Sequence, residues 1–150
     1  KYKKIASNIV KYVKSGEMNT TYDLKEAIKK SVFRSDKVNK IFSRVFQAIR
    51  ISINDEISNL EILLKNSIKY IKTGGRIAVI SFHSIEDRIV KIFFRENSTT
   101  CICPDFFPIC KCNNVPKLKL INKRPIICSQ VEILHNIRAR SAKLRIAEHL

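Results

Sequence analysis

The stretch Gly74–Lys91, GGRIAVISFHSIEDRIVK, combines a turn, a buried strand, a polar strand end and the start of a helix. Two glycines mark the turn, and the apolar block IAVI shows no polar alternation, which is typical of a parallel strand covered on both faces. Ser84 is expected to cap a helix that starts at the next residue, helped by Asp87 three positions later. Because ligands of open α/β sheets bind beyond the carboxyl ends of such strands, this stretch is expected to border an active site.

The chain is strongly basic. Its 150 residues carry 29 Lys and Arg against 13 Asp and Glu, a formal net charge of +16. This balance is typical of proteins that bind phosphate-rich partners such as RNA, and arginine is the better candidate ligand because its guanidinium group binds phosphate in a bidentate way. The alternative interpretation is that many lysines are solvated surface residues without a binding role. No apolar run is long enough to span a bilayer, so we expect a cytoplasmic protein with no membrane partner.

Helical patterns dominate the first part of the chain. Periodicity predicts helices over 3–13 and 22–33, and Gly16 separates them. Thr20, followed three residues later by Asp23, indicates a capping box at the start of the second helix.

A longer helix is predicted next. From Phe46 to Ile71, apolar residues recur at steps of three or four, which indicates one continuous helix with one stripe facing a core. Gln47, Arg50 and Asn54 follow the same steps on a neighbouring face, where they could contact RNA or brace another domain. An ordinary solvated helix face is the alternative interpretation.

The second half of the chain mixes short elements. The pattern predicts a helix over 85–95 and a strand over 118–121. Ser129 opens a capping pattern for a short helix that ends near Asn136. The tail alternates over 142–146, which favours a final strand, with a helix through the same region as the alternative.

Four cysteines cluster in the loop before the 118–121 strand: Cys101, Cys103, Cys110 and Cys112. Their spacing, C-x-C-x6-C-x-C, could supply four thiolates to zinc, although structural zinc sites more commonly pair cysteines two to four residues apart. The prolines and phenylalanines between them favour instead a compact loop packed by its own aromatic rings. Disulfides are not expected in a cytosolic protein, and Cys128 leaves an odd count. We therefore expect no metal, with a zinc site as the alternative.

Three sequence blocks resemble the bacterial ribosomal RNA small subunit methyltransferase H family. The stretch Gly74–Lys91 looks like the signature of that family. Arg44–Ile51, RVFQAIRI, followed by NDE at 54–56, is similar to the family's RTFQALRI…NDEL block. Asn136–Glu148, NIRARSAKLRIAE, is similar to its terminal NPRARSAKLRVAE. The three blocks occur in the family's order over most of the chain.

The chain departs from the family pattern at two places. Ile137 stands where proline is usual, which loosens a loop restraint. Phe42 and Ser43 replace the Ala-Thr that usually precedes Arg44, so no role is carried over for that threonine.

The resemblance implies an α/β fold: the C-terminal part of a class I (Rossmann-like) S-adenosylmethionine methyltransferase sheet, preceded by part of an inserted all-helical domain. Residues 1–43 would belong to the inserted helical domain and residues 44–150 to the C-terminal half of the methyltransferase domain. The family also has a glycine-rich cofactor loop, an acidic residue and a Ser-Ser-Pro-Gln-like segment, which this sequence does not contain. We therefore expect a portion of a longer enzyme, inactive alone, whose N-terminal half binds most of the S-adenosylmethionine, and we assign no cofactor-binding residue here.

The same resemblance implies that the full enzyme methylates the exocyclic N4 of a cytidine in the 16S rRNA of the small ribosomal subunit. This amino group is a poor nucleophile because its lone pair is delocalised into the ring, so orientation of a flipped or single-stranded base is expected to supply much of the acceleration. The residues expected to contact RNA or the base are Arg44, Gln47, Arg50, Asn54, Phe82, Ser84, Arg138 and Arg140.

His83 is the candidate catalytic residue. It follows the predicted strand, where its ring could exchange a hydrogen bond with the base. A structural histidine that links the strand end to Glu86 or Asp87 is an equal alternative. Both acids are interpreted as charges at a helix N-terminus.

Two other classes of function stay open. A non-catalytic basic RNA-binding module predicts salt-sensitive RNA binding without a cofactor. A zinc-stabilised module centred on the loop 101–112 predicts stoichiometric zinc and unfolding by a chelator. The family-like blocks lie outside this loop and favour the methyltransferase. A homodimer of the full-length enzyme is a further arrangement that the sequence leaves open.

Overall fold

A computed structural model describes residues 2–32, 38–101, 103–104 and 111–150. The chain forms two compact units, Lys1–Glu56 and Ile57–Leu150. The first unit is helical, and the second mixes helices with a small antiparallel sheet. No helix of the described residues is long and apolar enough to cross a membrane.

The first unit contains helices α1 (Tyr2–Lys14), α2 (Thr21–Ser31) and α3 (Val38–Asn54). The predicted cap of α2 is confirmed: the Asp23 N–H donates to Thr20 Oγ1, and the Asp23 carboxylate accepts from the Thr20 N–H at 2.7 Å. The buried apolar side chains at the centre of this unit are Ile5, Leu24 and Ile28. Phe33, where α2 was predicted to end, lies outside the described residues.

The prediction of one continuous helix from Phe46 to Ile71 is wrong, because the structure has two helices over this range. The helix α3 ends at Asn54, Asp55 adopts a positive φ of 51°, and helix α4 spans Glu56–Tyr70. Aspartate tolerates this left-handed backbone better than most residues.

The apolar stripe divides at the same point as the helix. Ile49 packs in the core of the first unit, whereas Leu60, Leu64 and Ile68 pack in the core of the second. Ile53, between them, is 76% exposed. The three-to-four spacing therefore continues through two separate cores, which explains why it looked like one helix.

Among its described residues, the second unit has four strands: β1 (Arg76–Ser81), β2 (Leu118–Leu120), β3 (Ile126–Ile127) and β4 (Lys143–His149). The strand β4 pairs antiparallel with each of the other three, and the order is β1-β4-β2. The strands β1 and β2 consequently run in the same direction on either side of β4. Helix α5 (Ser84–Ser98) follows β1.

Buried apolar side chains of the second unit come from both helices and strands. Phe94 and Val90 of α5 and Leu64 of α4 pack with residues of the sheet. The sheet contributes Ile77, Leu118 and Ala147. The core therefore fixes β1, and with it the strand end at which a site was predicted.

The environment of β1 differs from the prediction. A parallel strand covered on both faces was expected, but the described partner of β1 is the antiparallel β4, and Ile80 is 59% exposed while Ile77 and Ser81 are buried. One face of β1 is therefore open in the described part of the chain. The apolar run alone could not distinguish these environments, because it fixes neither the partner strand nor its direction.

The predicted elements of the last segment are present. Helix α6 (Gln130–His135) starts after Ser129, whose side chain accepts a hydrogen bond from the Glu132 N–H, and Asn136 ends it. A short 3₁₀ helix, Ile137–Ser141, then leads into β4, which confirms the strand interpretation of the tail. The buried positions of β4 include Arg145.

Candidate functional site

The carboxyl end of β1 is held by the first turn of α5. The Glu86 carboxylate accepts hydrogen bonds from the backbone N–H groups of Phe82 at 3.0 Å and His83 at 3.3 Å, and the Glu86 N–H donates to His83 Nδ1 at 3.3 Å. These bonds form a capping box in which His83 is the N-cap. The cap predicted at Ser84 is therefore wrong by one residue, because an imidazole nitrogen accepts the bond that a serine hydroxyl was expected to accept.

The geometry of His83 agrees with its structural interpretation. Its side chain is 12% exposed, and Nε2 lies 3.1 Å from Glu86 Oε1. Nε2 is buried and makes no aligned hydrogen bond within the described residues. Since Nδ1 accepts a hydrogen bond, a neutral His83 carries its proton on the enclosed Nε2. The catalytic role of His83 stays a prediction.

Asp87 ties α5 to β4. Arg145 donates to both oxygens of its carboxylate at 2.7 and 3.3 Å, and Lys143 Nζ donates at 3.3 Å. The side chains of Asp87 and Arg145 are 12% and 10% exposed. The hydrogen bond from Arg145 holds the pKa of Asp87 below its ordinary value, against the opposing effect of burial, and Lys143 adds to the lowering. Asp87 therefore connects α5 to β4, in addition to placing a negative charge at the N-terminus of α5.

An open cleft of about 600 Å³ lies beside Phe82. Its walls come from β1, β3, α6, the 3₁₀ helix and β4. The side chain of Phe82 is 56% exposed and forms one wall. The other lining residues are Ile80, Ile126, Ile127, Cys128, Glu132, Asn136, Arg138, Ala139, Ala142 and Leu144.

The chemistry of the cleft is mostly apolar with a few polar groups. Phe82 offers an aromatic face, Arg138 a guanidinium group and Glu132 a carboxylate. Such a site can bind a planar ring by stacking and an attached anion by charge. Burial, together with the nearby Glu132 carboxylate, raises the pKa of the Cys128 thiol, so this cysteine is protonated at neutral pH.

The cleft brings together two of the predicted site residues, Phe82 and Arg138. Arg140 is exposed in the same 3₁₀ helix, and Ser84 is exposed in the first turn of α5. The backbone N–H of Arg138 donates to Asn136 Oδ1 at 3.1 Å, which shapes the entry into this helix. Phe82 and Arg138 therefore share one cleft, and contact of any of these residues with RNA or a base stays a prediction.

Four predicted residues lie on α3 in the first unit. Arg50 forms a bidentate pair with Glu56, with distances of 2.8 and 3.1 Å, and Asn54 Nδ2 donates to the same carboxylate at 3.2 Å. Arg44 is exposed and Gln47 is half-buried. Arg50 and Asn54 thus meet at one carboxylate, and contact of any of the four with RNA stays a prediction.

Sequence reasoning missed Arg145 and Glu132. Arg145 alternates with lysine on an apparently polar face, and its burial depends on the distant Asp87. Glu132 donates its backbone N–H to the Ser129 cap, and it also lines the cleft. The position of Ser129 and Glu132 next to a family-like block was the one signal that could have drawn attention to this helix.

The cysteine loop places three of its four predicted ligands together. The sulfur atoms of Cys101, Cys103 and Cys112 lie within 4.8 Å of one another. Cys110 lies outside the described residues.

Comparison with known families and proteins gives a consistent match. The MraW methylase family matches residues 1–150. The chain is 45% identical over 148 residues to the ribosomal RNA small subunit methyltransferase H of Caldicellulosiruptor saccharolyticus, covering 99% of this chain and 48% of that protein. It is 48% identical over 147 residues to the protein of the same name from Carboxydothermus hydrogenoformans, covering 97% and 47%.

A third relative is similar over a shorter range. The ribosomal RNA small subunit methyltransferase H of Heliobacterium modesticaldum is 53% identical over 107 residues, or 71% of this chain and 34% of that protein. The chain spans about half the length of the first two relatives. Because the family match extends over all 150 residues, the chain belongs to the MraW methylase family.

Proposed function

We propose that this chain is the C-terminal portion of an S-adenosylmethionine-dependent methyltransferase that acts on N4 of a cytidine in 16S rRNA. The observation that carries the proposal is the cleft at the carboxyl end of β1, where Phe82 and Arg138 from two separate family-like blocks line one site. The relatives with 45–48% identity bear the name ribosomal RNA small subunit methyltransferase H. The proposal places the enzyme in the cytoplasm, with the small ribosomal subunit as its partner.

The cleft suits a flipped base better than it suits a buried polar ligand. Phe82 can stack on a pyrimidine, and Arg138 can bind a phosphate next to it. The bonds from Glu86 to the backbone of Phe82 and His83 fix the loop that carries this ring. The lone pair of the cytidine amino group is delocalised into the ring, so holding the base in one orientation should contribute most to the rate of transfer.

The glycines of the described residues are not arranged as in a nucleotide-binding loop. Gly74 and Gly75 precede β1 instead of following a strand and opening a helix, and Gly16 lies just after α1. A glycine-rich cradle of the kind that binds nucleotide-like cofactors is therefore absent from the part of the chain that the structure describes. We assign S-adenosylmethionine to the remaining half of the enzyme and derive no step through it.

The open edge of β1 is consistent with a larger Rossmann-like sheet. In the described sheet β1 pairs with β4 alone, so its other edge has no partner strand among the described residues. Exposed strand edges of this kind are normally covered. We expect the backbone amides of residues 77–80 to exchange more slowly in the full-length enzyme than in the 150-residue chain, and equal rates would argue against a strand added at this edge.

The function is tested with the full-length enzyme, small ribosomal subunits and radiolabelled S-adenosylmethionine. Digestion of the product to nucleosides, followed by mass spectrometry, should place the label on N4-methylcytidine. Phe82→Ala should lower the rate of transfer by about 10²-fold, since it removes the stacking wall that orients the base. Arg76→Gln is the matched control, because this residue lies at the opposite end of β1 and pairs with Glu148.

Three results would separate the hypotheses. Label on another nucleoside would contradict the N4 assignment, and full activity of Phe82→Ala would contradict the role of the cleft. RNA binding by the full-length protein with no methyl transfer would favour the non-catalytic RNA-binding module. His83→Ser preserves an N-cap, so unchanged activity in that variant would assign His83 a structural role.

A further inference from the structure

Three cysteine sulfurs converge in the segment that joins α5 to β2. Cys101 and Cys103 follow the end of α5, and Cys112 precedes β2. Their Sγ atoms all lie within 4.8 Å of one another, and Cys112 Sγ lies 4.0 Å from Cys101 Sγ. The 4.0 Å between the Cys101 and Cys112 sulfurs is about twice the length of a disulfide bond, so these two are not joined to each other. This convergence is independent of the cleft and of the proposed methyltransferase function.

The separation of the sulfurs fits a shared metal ion. Two sulfurs bound to one tetrahedral zinc at about 2.3 Å lie about 3.8 Å apart. The 4.0 Å between Cys101 and Cys112 is close to this tetrahedral edge. Small rotations of the side chains would bring all three sulfurs into the coordination sphere of one ion.

The backbone around the cluster holds one of the sulfurs in place. The Lys111 N–H donates to Cys103 Sγ at 3.4 Å, which orients this sulfur next to Cys112. Asn113 has a positive φ of 47°, which turns the chain directly after Cys112. The loop therefore has a defined shape next to two of the sulfurs.

The two ends of the loop are also tied together. Asn114 Nδ2 donates to the Thr99 carbonyl at 2.6 Å, and the Lys117 N–H donates to the Asn97 carbonyl at 2.8 Å. These bonds bring the end of α5 next to the start of β2, which holds Cys101 close to Cys112. A site that is already assembled loses less entropy when it binds an ion.

We propose that Cys101, Cys103 and Cys112 bind one zinc ion as thiolates. Each thiol releases its proton to solvent as its sulfur binds the metal, and the zinc remains divalent throughout. Soft thiolate ligands at these distances favour zinc over magnesium or calcium, which take oxygen ligands. The ion would cross-link the end of α5, which carries the buried Phe94, to the strand that carries the buried Leu118.

The test is the metal content of the purified protein in its reduced form. Elemental analysis should give about one zinc per chain after incubation with zinc and removal of the excess. Cys103→Ser should lower this value at least tenfold. Cys128→Ser is the matched control, because Cys128 lies beside the cleft and its thiol is held protonated, so this variant should keep its zinc.

A second measurement covers the case in which Cys103→Ser does not fold. Cobalt substituted into the unaltered chain should give thiolate-to-metal charge-transfer bands and the intense visible bands of a tetrahedral site. X-ray absorption of the zinc form should show at least three sulfur ligands. Absence of bound zinc in the reduced chain, a cobalt spectrum without sulfur bands, or equal zinc loss in Cys103→Ser and Cys128→Ser would overturn the proposal.

Discussion

Asp87 and Arg145 form a buried ion pair in the second unit, and removing one partner should lower stability. Asp87→Asn would leave the Arg145 guanidinium buried without a compensating charge, which typically costs about 3 kcal/mol. Urea unfolding, followed through hydrogen exchange of the β4 amides, measures the loss. Arg76→Gln breaks the Arg76–Glu148 pair between β1 and β4, but Arg76 is 66% exposed, so the cost should stay below about 1 kcal/mol. Equal losses in the two variants would contradict the assignment.

The same pair gives a pH dependence with a definite sign. The pKa of Asp87 is lower in the folded chain than its ordinary value of 3.8, because Arg145 donates to the carboxylate. Its contribution to stability is therefore complete above 3.8 and is lost as the pH falls through the lower folded pKa. The difference in the free energy of unfolding between the wild type and Asp87→Asn should be constant from about pH 7 to pH 5 and should shrink below 3.8. A difference that persists unchanged in stronger acid would show that the charge of Asp87 is not its source.

At this scale, sequence reasoning recovered residue types better than partners. It placed Phe82 and Arg138 at a candidate site, and the cleft brings them together. It could not pair Asp87 with Arg145, because a contact across 58 positions leaves no local pattern. The N-cap was predicted at Ser84 and lies at His83 for a related reason. The His83 ring is oriented so that Nδ1 accepts the Glu86 N–H, and this orientation has no signal in the sequence.

The turn between α4 and β1 gives a prediction at the scale of elements. A Cβ at Gly75 would collide with the Ile71 side chain and would lie 2.8 Å from the Lys72 carbonyl oxygen. The backbone cannot move away freely, since Gly75 donates to Lys72 at 2.9 Å and accepts from the His149 N–H at 2.8 Å. Gly75→Ala should therefore lower the free energy of unfolding by about 2 kcal/mol, measured by urea titration.

Gly74→Asn is the comparison for that variant. Gly74 has a positive φ of 80°, but a Cβ there meets nothing within 4 Å. Asparagine tolerates left-handed backbone, so the loss should stay below about 1 kcal/mol. A larger loss for Gly74→Asn than for Gly75→Ala would show that backbone conformation, and not packing, controls this turn.

Periodicity predicted where elements exist better than where they end. Helices α1, α2, α5 and α6 are close to their predicted ranges, because caps and apolar spacing are local signals. The junction at Asp55 was missed because the spacing continued unbroken from one core into the next. Strand β3 was also missed, since two residues are too few to show alternation.

For the whole molecule, the sequence could suggest a mixed α/β chain but not its strand pairing. The antiparallel contact of β1 with β4 joins residues at opposite ends of the second unit, such as Ala78 and Ile146. The family resemblance supplied the expectation of a larger sheet, which the apolar pattern of β1 alone could not supply. The zinc-binding alternative was open for a similar reason. The spacing of the cysteines along the sequence could not show that three sulfur atoms lie close together in the fold.

The net charge of +16 leads to a prediction about the whole molecule that rests on the proposed function. Binding of the chain to a single-stranded fragment of 16S rRNA should weaken with salt, because each phosphate contact releases bound counterions. The logarithm of the affinity should fall linearly with the logarithm of the salt concentration, and Arg138→Gln should reduce the slope by about 0.7, the value of one lost contact. Fluorescence anisotropy at several salt concentrations measures both slopes.

Arg76→Gln is the control for Arg138→Gln. It removes the same charge at the opposite end of β1 from the cleft, at a residue already paired with Glu148, and should leave the slope unchanged. If both variants lowered the slope equally, the charge would act as a diffuse field, and Arg138 would have no specific place in RNA binding.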